Sequence, residues 1–276
     1  MKLIQRKEKI FRLIAYGILI YMCTIPLFFY VYYSDNDFAR VTVVLLPILC
    51  VCGIFYATLT ILIKGYVIEE HMNEDEIPSE FVRRCNFCNA FKPERSHHCK
   101  ICRKCILKMD HHCNILSVCV NYQNHGHFIR FLFFTWASSV LLFSYTVYHI
   151  YRTVLDTNNE ISYGLCVFIV INALISGFVV LLTTIHLYWQ VSNIQLNVTN
   201  IEAIQEHNSM YRNINCGKSP YNFGFYYNFC DVMGPLRKLF LASPSGNGVV
   251  FKKSYKTYYW PLNDIKEFRN TDIELI

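Results

Sequence analysis

Apolar residues in this chain gather into four long blocks, from about Leu13 to Tyr33, Val41 to Ile63, Phe128 to Ile150 and Gly164 to Trp189. A helix needs about 20 apolar residues to cross a bilayer core, and each block is that long. Charge or turn residues bound the blocks: Ser34-Asp35-Asn36-Asp37 after the first, Lys64-Gly65 after the second, Arg152 after the third. Four blocks of this length predict membrane-spanning helices rather than the buried helices of a soluble protein. The first is too long for a signal-peptide core, and no small-residue cleavage pattern follows it.

The pattern predicts an all-α integral membrane protein of four transmembrane helices, with a cysteine-rich domain between spans two and three. Its segments are residues 1–63 (N-terminus and two spans), 64–127 (cysteine-rich domain), 128–189 (two more spans) and 190–276 (C-terminal tail). The loop after span two opens on an acidic run, Glu69-Glu70 and Glu74-Asp75-Glu76, which reads as a solvated linker. No internal repeat is evident, and the residues after Gly248 read as a loosely ordered tail.

Charge then sets orientation. Lys2, Arg6, Lys7, Lys9 and Arg12 precede the first block, whereas Asp35, Asp37 and a single Arg40 follow it. The loop from Tyr151 to Tyr163 is also poor in positive charge. The tail carries Arg212, Lys218, Arg237, Lys238, Lys252, Lys253 and Lys256. The excess of Lys and Arg on one side, with an even number of spans, places both termini and the cysteine-rich loop in the cytosol. The net charge of +6 is too weak and scattered to argue for nucleic acid.

Seven of the thirteen cysteines lie between Cys85 and Cys119, as Cys85-x-x-Cys88, His97-His98-Cys99-x-x-Cys102-x-x-Cys105 and Asp110-His111-His112-Cys113. In a small secreted chain such density would mean disulfides. CxxC and His-Cys spacings instead match zinc, which takes four Cys or His ligands tetrahedrally. A cytosolic loop supplies the reducing conditions that zinc thiolates require. Six cysteines and two histidines complete two closed sites and leave one thiol over. Spacing alone does not divide Cys99, Cys102 and Cys105 between the two ions.

The run Cys85-x2-Cys88, Lys92-Pro93, Ser96, His98-Cys99-x2-Cys102-x2-Cys105-x4-Asp110-His111-His112-Cys113-x5-Cys119-x4-Asn124-x3-Phe128 resembles the cysteine-rich domain of the DHHC protein S-acyltransferases. The four-span layout resembles the family as well. Thr199-Asn200-Ile201-Glu202 is similar to its TTxE motif, with Asn200 in place of the second Thr. Pro220-Tyr221-Asn222 with Gly224, Asn228 and Gly234 resembles its aromatic tail motif.

The resemblance implies that Cys85, Cys88, His98 and Cys105 hold one structural Zn2+ and that Cys99, Cys102, His112 and Cys119 hold another. It implies that Cys113 is the acyl-accepting nucleophile, His111 its base and Asp110 the group that orients His111. The expected activity moves a fatty acyl group, palmitoyl above all, from acyl-CoA to cysteine thiols of membrane-associated protein substrates. The expected setting is the bilayer of the endoplasmic reticulum or Golgi, with an apolar cavity among the spans opening beside Cys113.

This chain departs from the family pattern at Asn114 and Ile115, where Pro and Trp are usual, at Val118 in place of Asn, and at Asn121 in place of Gly. These departures motivate an alternative, a catalytically weakened membrane adaptor or scaffold. A channel or transporter lacks support, because the spans carry few ionisable groups and no paired broken helices. No basic recognition helix follows the ligands, which argues against nucleic-acid binding.

Several further residues carry blander expectations. Cys23, Cys50, Cys52 and Cys166 read as small apolar packing groups. His97, His125 and His127 read as polar residues rather than ligands, and Asn172 and His186 as helix-bridging groups. Lys100, Arg103, Lys104 and Lys108 form a basic face that CoA phosphates would suit. Cys216 and Cys230 have no assigned role. Asn197-Val198-Thr199 is a glycosylation sequon on the wrong side of the membrane.

Overall fold

Long apolar runs become helices because only the helix satisfies every backbone group within its own segment. A computed structural model describes residues 2–33, 37–68, 82–155, 163–211, 217–240, 244, 246–257 and 260–261. It contains the long helices α1 (Lys2–Tyr33), α2 (Asp37–Leu62), α3 (His125–Leu155) and α4 (Tyr163–Leu196), then the shorter α5 (Asn200–Tyr211) and α6 (Phe225–Met233). Three stretches are long and apolar enough to cross a membrane: Asp37–Leu62, His125–Arg152 and Cys166–Leu196. The first expected span falls in α1, where the side chains of residues 26–33 lie outside the described residues. The span count is therefore three among the described residues. The acidic run at residues 69–76 and Cys216 lie outside them as well.

The chain divides into two compact units, Met1–Thr58 with Ile129–Trp189, and Leu59–Phe128 with Gln190–Ile276. In the first, Met22 and Ile25 of α1 pack with Leu46 and Cys50 of α2, Leu142 and Tyr145 of α3, and Ile169 of α4. Tyr21 donates to Asn172 Oδ1 at 2.8 Å, so Asn172 does bridge α1 and α4. His186 instead stays with its own helix, against Leu182 O. Hydroxyls of Thr42, Ser138, Thr146, Ser176 and Thr183 bond backward to carbonyls in their own helices, which satisfies them without water. Val44, Val51, Leu174 and Phe178 are exposed on the outer faces. Such apolar surface fits lipid contact.

The second unit corrects the all-helical expectation, for its cysteine-rich part is built of β-hairpins. Strands β1 (Arg84–Cys85) and β2 (Ala90–Phe91), β3 (His97–Cys99) and β4 (Lys104–Ile106), and β5 (His111–Cys113) and β6 (Val118–Val120) pair antiparallel. The three hairpins share one register: Cys85 faces Ala90, Cys99 faces Lys104 and Cys113 faces Val118. Each turn ends on a residue at positive φ, namely Asn89 (53°), Arg103 (57°) and Ser117 (52°). An internal repeat is thus present where none was expected. Its 14-residue period shows in Cys85, Cys99 and Cys113, in Cys88 and Cys102, and in His97-His98 and His111-His112.

The C-terminal segments dock on these hairpins through buried charge. Arg95 donates to both carboxylate oxygens of Glu202, Nε to Oε1 and Nη2 to Oε2, each at 2.7 Å. Their side chains are 1% and 2% exposed. The Arg95 guanidinium also lies 3.9 Å from the centre of the Tyr221 ring. Glu94 accepts from Tyr221 and pairs with Lys253 at 2.8 Å. Phe251 packs near Tyr221, and Trp260 is buried. Phe251, Lys253 and Trp260 thus have partners, while residues 258–259 and 262–276, most of the segment expected to be loosely ordered, lie outside the described residues. Removing one partner of a buried pair strands the other charge, at a cost of about 3–5 kcal/mol, whereas removing both is often close to neutral. Arg95→Met should accordingly lower the thermal unfolding midpoint of the purified chain sharply. Arg95→Met with Glu202→Met should recover most of that loss, and a double variant no more stable than the single one would refute this account.

Candidate functional site

Alternation along a strand sends neighbouring side chains to opposite faces. In β3 and β5 this separates the first histidine of each pair from the second. His98 lies opposite Cys105, and His112 opposite Cys119, as cross-strand pairs. The turn of the preceding hairpin meets each pair with its two thiols. Cys85, Cys88, His98 and Cys105 form one cluster and Cys99, Cys102, His112 and Cys119 the other, the donor atoms of each all within 4.8 Å of one another. Hairpin by hairpin, the turn supplies one cluster and the strand pair the one before.

The geometry fits tetrahedral zinc. Nδ1 of His98 lies 3.5, 3.3 and 4.0 Å from the sulfurs of Cys85, Cys88 and Cys105. Nδ1 of His112 lies 3.6, 3.5 and 3.5 Å from those of Cys99, Cys102 and Cys119. Zinc with Zn–S about 2.3 Å and Zn–N about 2.1 Å requires an N···S edge of roughly 3.6 Å. The backbone N–H of Cys88 and of Cys102 also donates to the sulfur three residues before it.

The third turn breaks the pattern. Leu116, fully buried, stands where Cys88 and Cys102 stand in the first two. Cys113 thus holds the position of Cys85 and Cys99 but belongs to neither cluster. It is buried, and it lies near enough to the His111 imidazole to help raise its pKa. Nδ1 of His111 donates to Asp110 Oδ2 at 2.7 Å, and the edge of the imidazole meets the Phe128 ring.

Asp110 is fully buried and surrounded by donors. Oδ1 accepts from the Asn200 backbone N–H at 2.8 Å. Oδ2 accepts from Asn200 Nδ2 at 2.8 Å and Gln190 Nε2 at 3.2 Å, besides His111. Burial opposes ionisation, yet the nearby imidazoles of His125 and His111 and these hydrogen bonds outweigh it and hold the carboxyl well below the usual carboxylate range. Burial likewise opposes charge on His111. The bond to Asp110 and the nearby Cys113 prevail and lift the imidazole to about 9.

Asn200 and Gln190 are the contributors that sequence reasoning missed. Asn200 stood out only as a substitution in the TTxE-like run, and Gln190 only as the polar residue ending an apolar block. Glu202, the last residue of that run, accepts from the Thr199 N–H while its own N–H donates to Thr199 Oγ1, capping α5. That cap presents Asn200 to Asp110.

Other expectations fare differently. Lys108 is buried and paired with Asp231 at 2.8 Å, so it does not join an open basic face. Lys104 lies over the Tyr66 ring, and Lys100 and Arg103 are exposed. Asn197 is buried and donates to Tyr221 O, which removes it as an acceptor for glycans. Asn121 fits well despite its departure from the family pattern. It donates to Cys119 O, accepts from the Gln123 N–H, and lies so close to Gly65 that a Cβ there would overlap its Oδ1.

Residues 79–207 match the family described as DHHC palmitoyltransferase. The chain is 38% identical over 202 residues to Palmitoyltransferase PFA4 of Mycosarcoma maydis, covering 66% of this chain and 41% of that protein. It is 41% identical over 128 residues to Palmitoyltransferase PFA4 of Eremothecium gossypii, covering 45% of this chain and 34% of that protein. The chain thus spans well under half the length of the curated relatives it matches. Residues 79–207 are thus similar to a DHHC palmitoyltransferase domain.

Proposed function

We propose that this chain is a protein S-acyltransferase that carries a fatty acyl group on Cys113 between acyl-CoA and cysteine thiols of membrane-associated proteins. One observation carries the reading: Cys113 is the single cysteine of the hairpin region outside the two four-donor clusters, and His111 links it to the buried Asp110. In this reading Cys85, Cys88, His98 and Cys105 hold one structural zinc and Cys99, Cys102, His112 and Cys119 a second. The ions would supply rigidity, not reacting groups.

The chemistry is an exchange of thioesters. His111 takes the Cys113 proton, and the imidazolium stabilises the thiolate. The Cys113 sulfur attacks the acyl carbonyl, the bond from that carbon to the CoA sulfur breaks, and the departing CoA thiolate takes the proton from His111. A substrate thiol then repeats the sequence against the Cys113 thioester and leaves with the acyl group. Asp110 keeps the His111 Nδ1–H in place, so the other ring nitrogen serves the sulfur. Thioester exchange is nearly balanced in energy, so the protein contributes chiefly placement of the reacting groups.

The layout goes with this function. Four spans, with α1 as the first, put both termini and the hairpins in the cytosol, in an endomembrane bilayer of the endoplasmic reticulum or Golgi. Segments 1–63, 64–127, 128–189 and 190–276 then serve as anchor, reaction domain, anchor and supporting tail.

The test is incubation of the purified chain with labelled palmitoyl-CoA. Label on Cys113 that hydroxylamine removes, and that Cys113→Ser abolishes, is the expected result. An unlabelled chain would instead suit a membrane adaptor, and undiminished label on Cys113→Ser would move the chemistry to another thiol.

A further inference from the structure

Asp110 is approached by two side-chain amides, and an amide can present either its NH2 or its carbonyl. A buried carboxylate that already accepts from His111 Nδ1 and the Asn200 backbone N–H is placed as an acceptor and suits only the first. Something must therefore hold each amide the right way round. For Asn200 the holder is Asn193, whose Nδ2 donates to Asn200 Oδ1 at 2.7 Å. That bond occupies the carbonyl and leaves Asn200 Nδ2 for Asp110 Oδ2, at 2.8 Å.

For Gln190 the holder is His125. Gln190 Nε2 donates to Asp110 Oδ2, so its Oε1 points away, and His125 Nε2 lies 2.7 Å from that oxygen. An oxygen only accepts, so His125 must carry its proton on Nε2. Gln190 and His125 are both buried, at 3% and 4% exposure, where water does not replace a lost donor. The resulting chain has one direction: His125 Nε2–H to Gln190, Gln190 Nε2–H to Asp110, and Asp110 accepting from His111. Reversing the Gln190 amide would set a carbonyl against the carboxylate.

We propose that His125 and Gln190 are positioning residues for the acyl-transfer site, acting through Asp110 to keep the His111 imidazole correctly turned toward Cys113. The inference rests on the transferase reading above. Neither residue touches the sulfur, and the loss of either acts on reaction rate rather than on acyl-CoA binding or metal retention.

The experiment follows Cys113 acylation in the purified full chain with labelled palmitoyl-CoA, alongside zinc content. Gln190→Leu should slow acylation at saturating palmitoyl-CoA about tenfold, the loss of one charge-assisted hydrogen bond. The half-saturating concentration and the zinc content should stay those of the unaltered chain. Gln190→Glu, equal in size but unable to donate when ionised, should lose more. His125→Phe should match Gln190→Leu, and the two together should lose no more than either alone. His125→Gln, which keeps an N–H, should lose less than His125→Phe.

A Gln190→Leu rate within twofold of the unaltered chain overturns the proposal. So do losses that multiply in the double variant, or losses that track zinc in both Gln190 variants. An unaltered chain that takes no label on Cys113 removes the transferase reading itself, and is recognised because no substitution is involved.

Discussion

Stripping zinc from the purified chain should release two ions and unfold the region from Arg84 to Val120. Its six strands are two or three residues long, too short to hold together without help. Zinc binding to such sites is worth roughly 10–16 kcal/mol near neutral pH, all of it coupled to folding. The hairpin β3–β4 joins the two clusters, for Cys99 and Cys102 belong to one while His98 and Cys105 belong to the other. Loss of either ion therefore loosens both. The ligands bind as thiolates and neutral imidazoles, so acid should favour release.

The two clusters should nevertheless differ in their effect on chemistry. His112→Ala empties the cluster built on β5, the strand that carries His111 and Cys113, and should abolish Cys113 acylation. Cys88→Ser empties the other cluster and should reduce acylation less. Metal release, protease resistance of the hairpin region and label on Cys113 would be followed together. A stripped chain that stays protease-resistant, or a His112→Ala chain that still holds two ions, would contradict this arrangement.

Asp110→Asn should slow Cys113 acylation by roughly 10³ to 10⁴-fold, the scale on which an orienting carboxylate matters in a triad. The change preserves shape but replaces one acceptor oxygen by a donor. In the native arrangement His111 Nδ1, Asn200 Nδ2 and Gln190 Nε2 all donate to Oδ2, and the Asn200 backbone to Oδ1. An asparagine cannot receive all four, and the imidazole has reason to turn its other nitrogen away from Cys113. Such a factor corresponds to about 4–5.5 kcal/mol of transition-state stabilisation. Zinc content should be unchanged, since Asp110 belongs to neither cluster. A loss under tenfold, or one explained by missing metal, would show that Asp110 does not orient the base.

Much of this arrangement is local, and local features were legible. CxxC places two thiols on one turn whatever surrounds them, and strand alternation separates His111 from His112 within three residues. The apolar blocks are equally self-contained. The hairpin repeat was legible in the 14-residue spacing of Cys85, Cys99 and Cys113 but went unread, because Leu116 interrupts the series of Cys88 and Cys102 and Phe91 stands where Cys105 and Cys119 stand. The contacts of three tail residues were hidden for a different reason. Phe251, Lys253 and Trp260 look like scattered residues until Glu94, Arg95 and Tyr221 supply their partners.

By itself the sequence determined the long helices, the cysteines and histidines available to metal, and the Asp-His-His-Cys run, because each depends on residues within a turn or two of one another. Tertiary structure alone decided the surroundings of Asp110. Gln190 and Asn200 reach it from some 80 and 90 positions along the chain, and Glu202 reaches Arg95 across 107. Buried donors, acceptors and charges must find complementary partners wherever the fold brings them, and no local spacing rule encodes which partners those are.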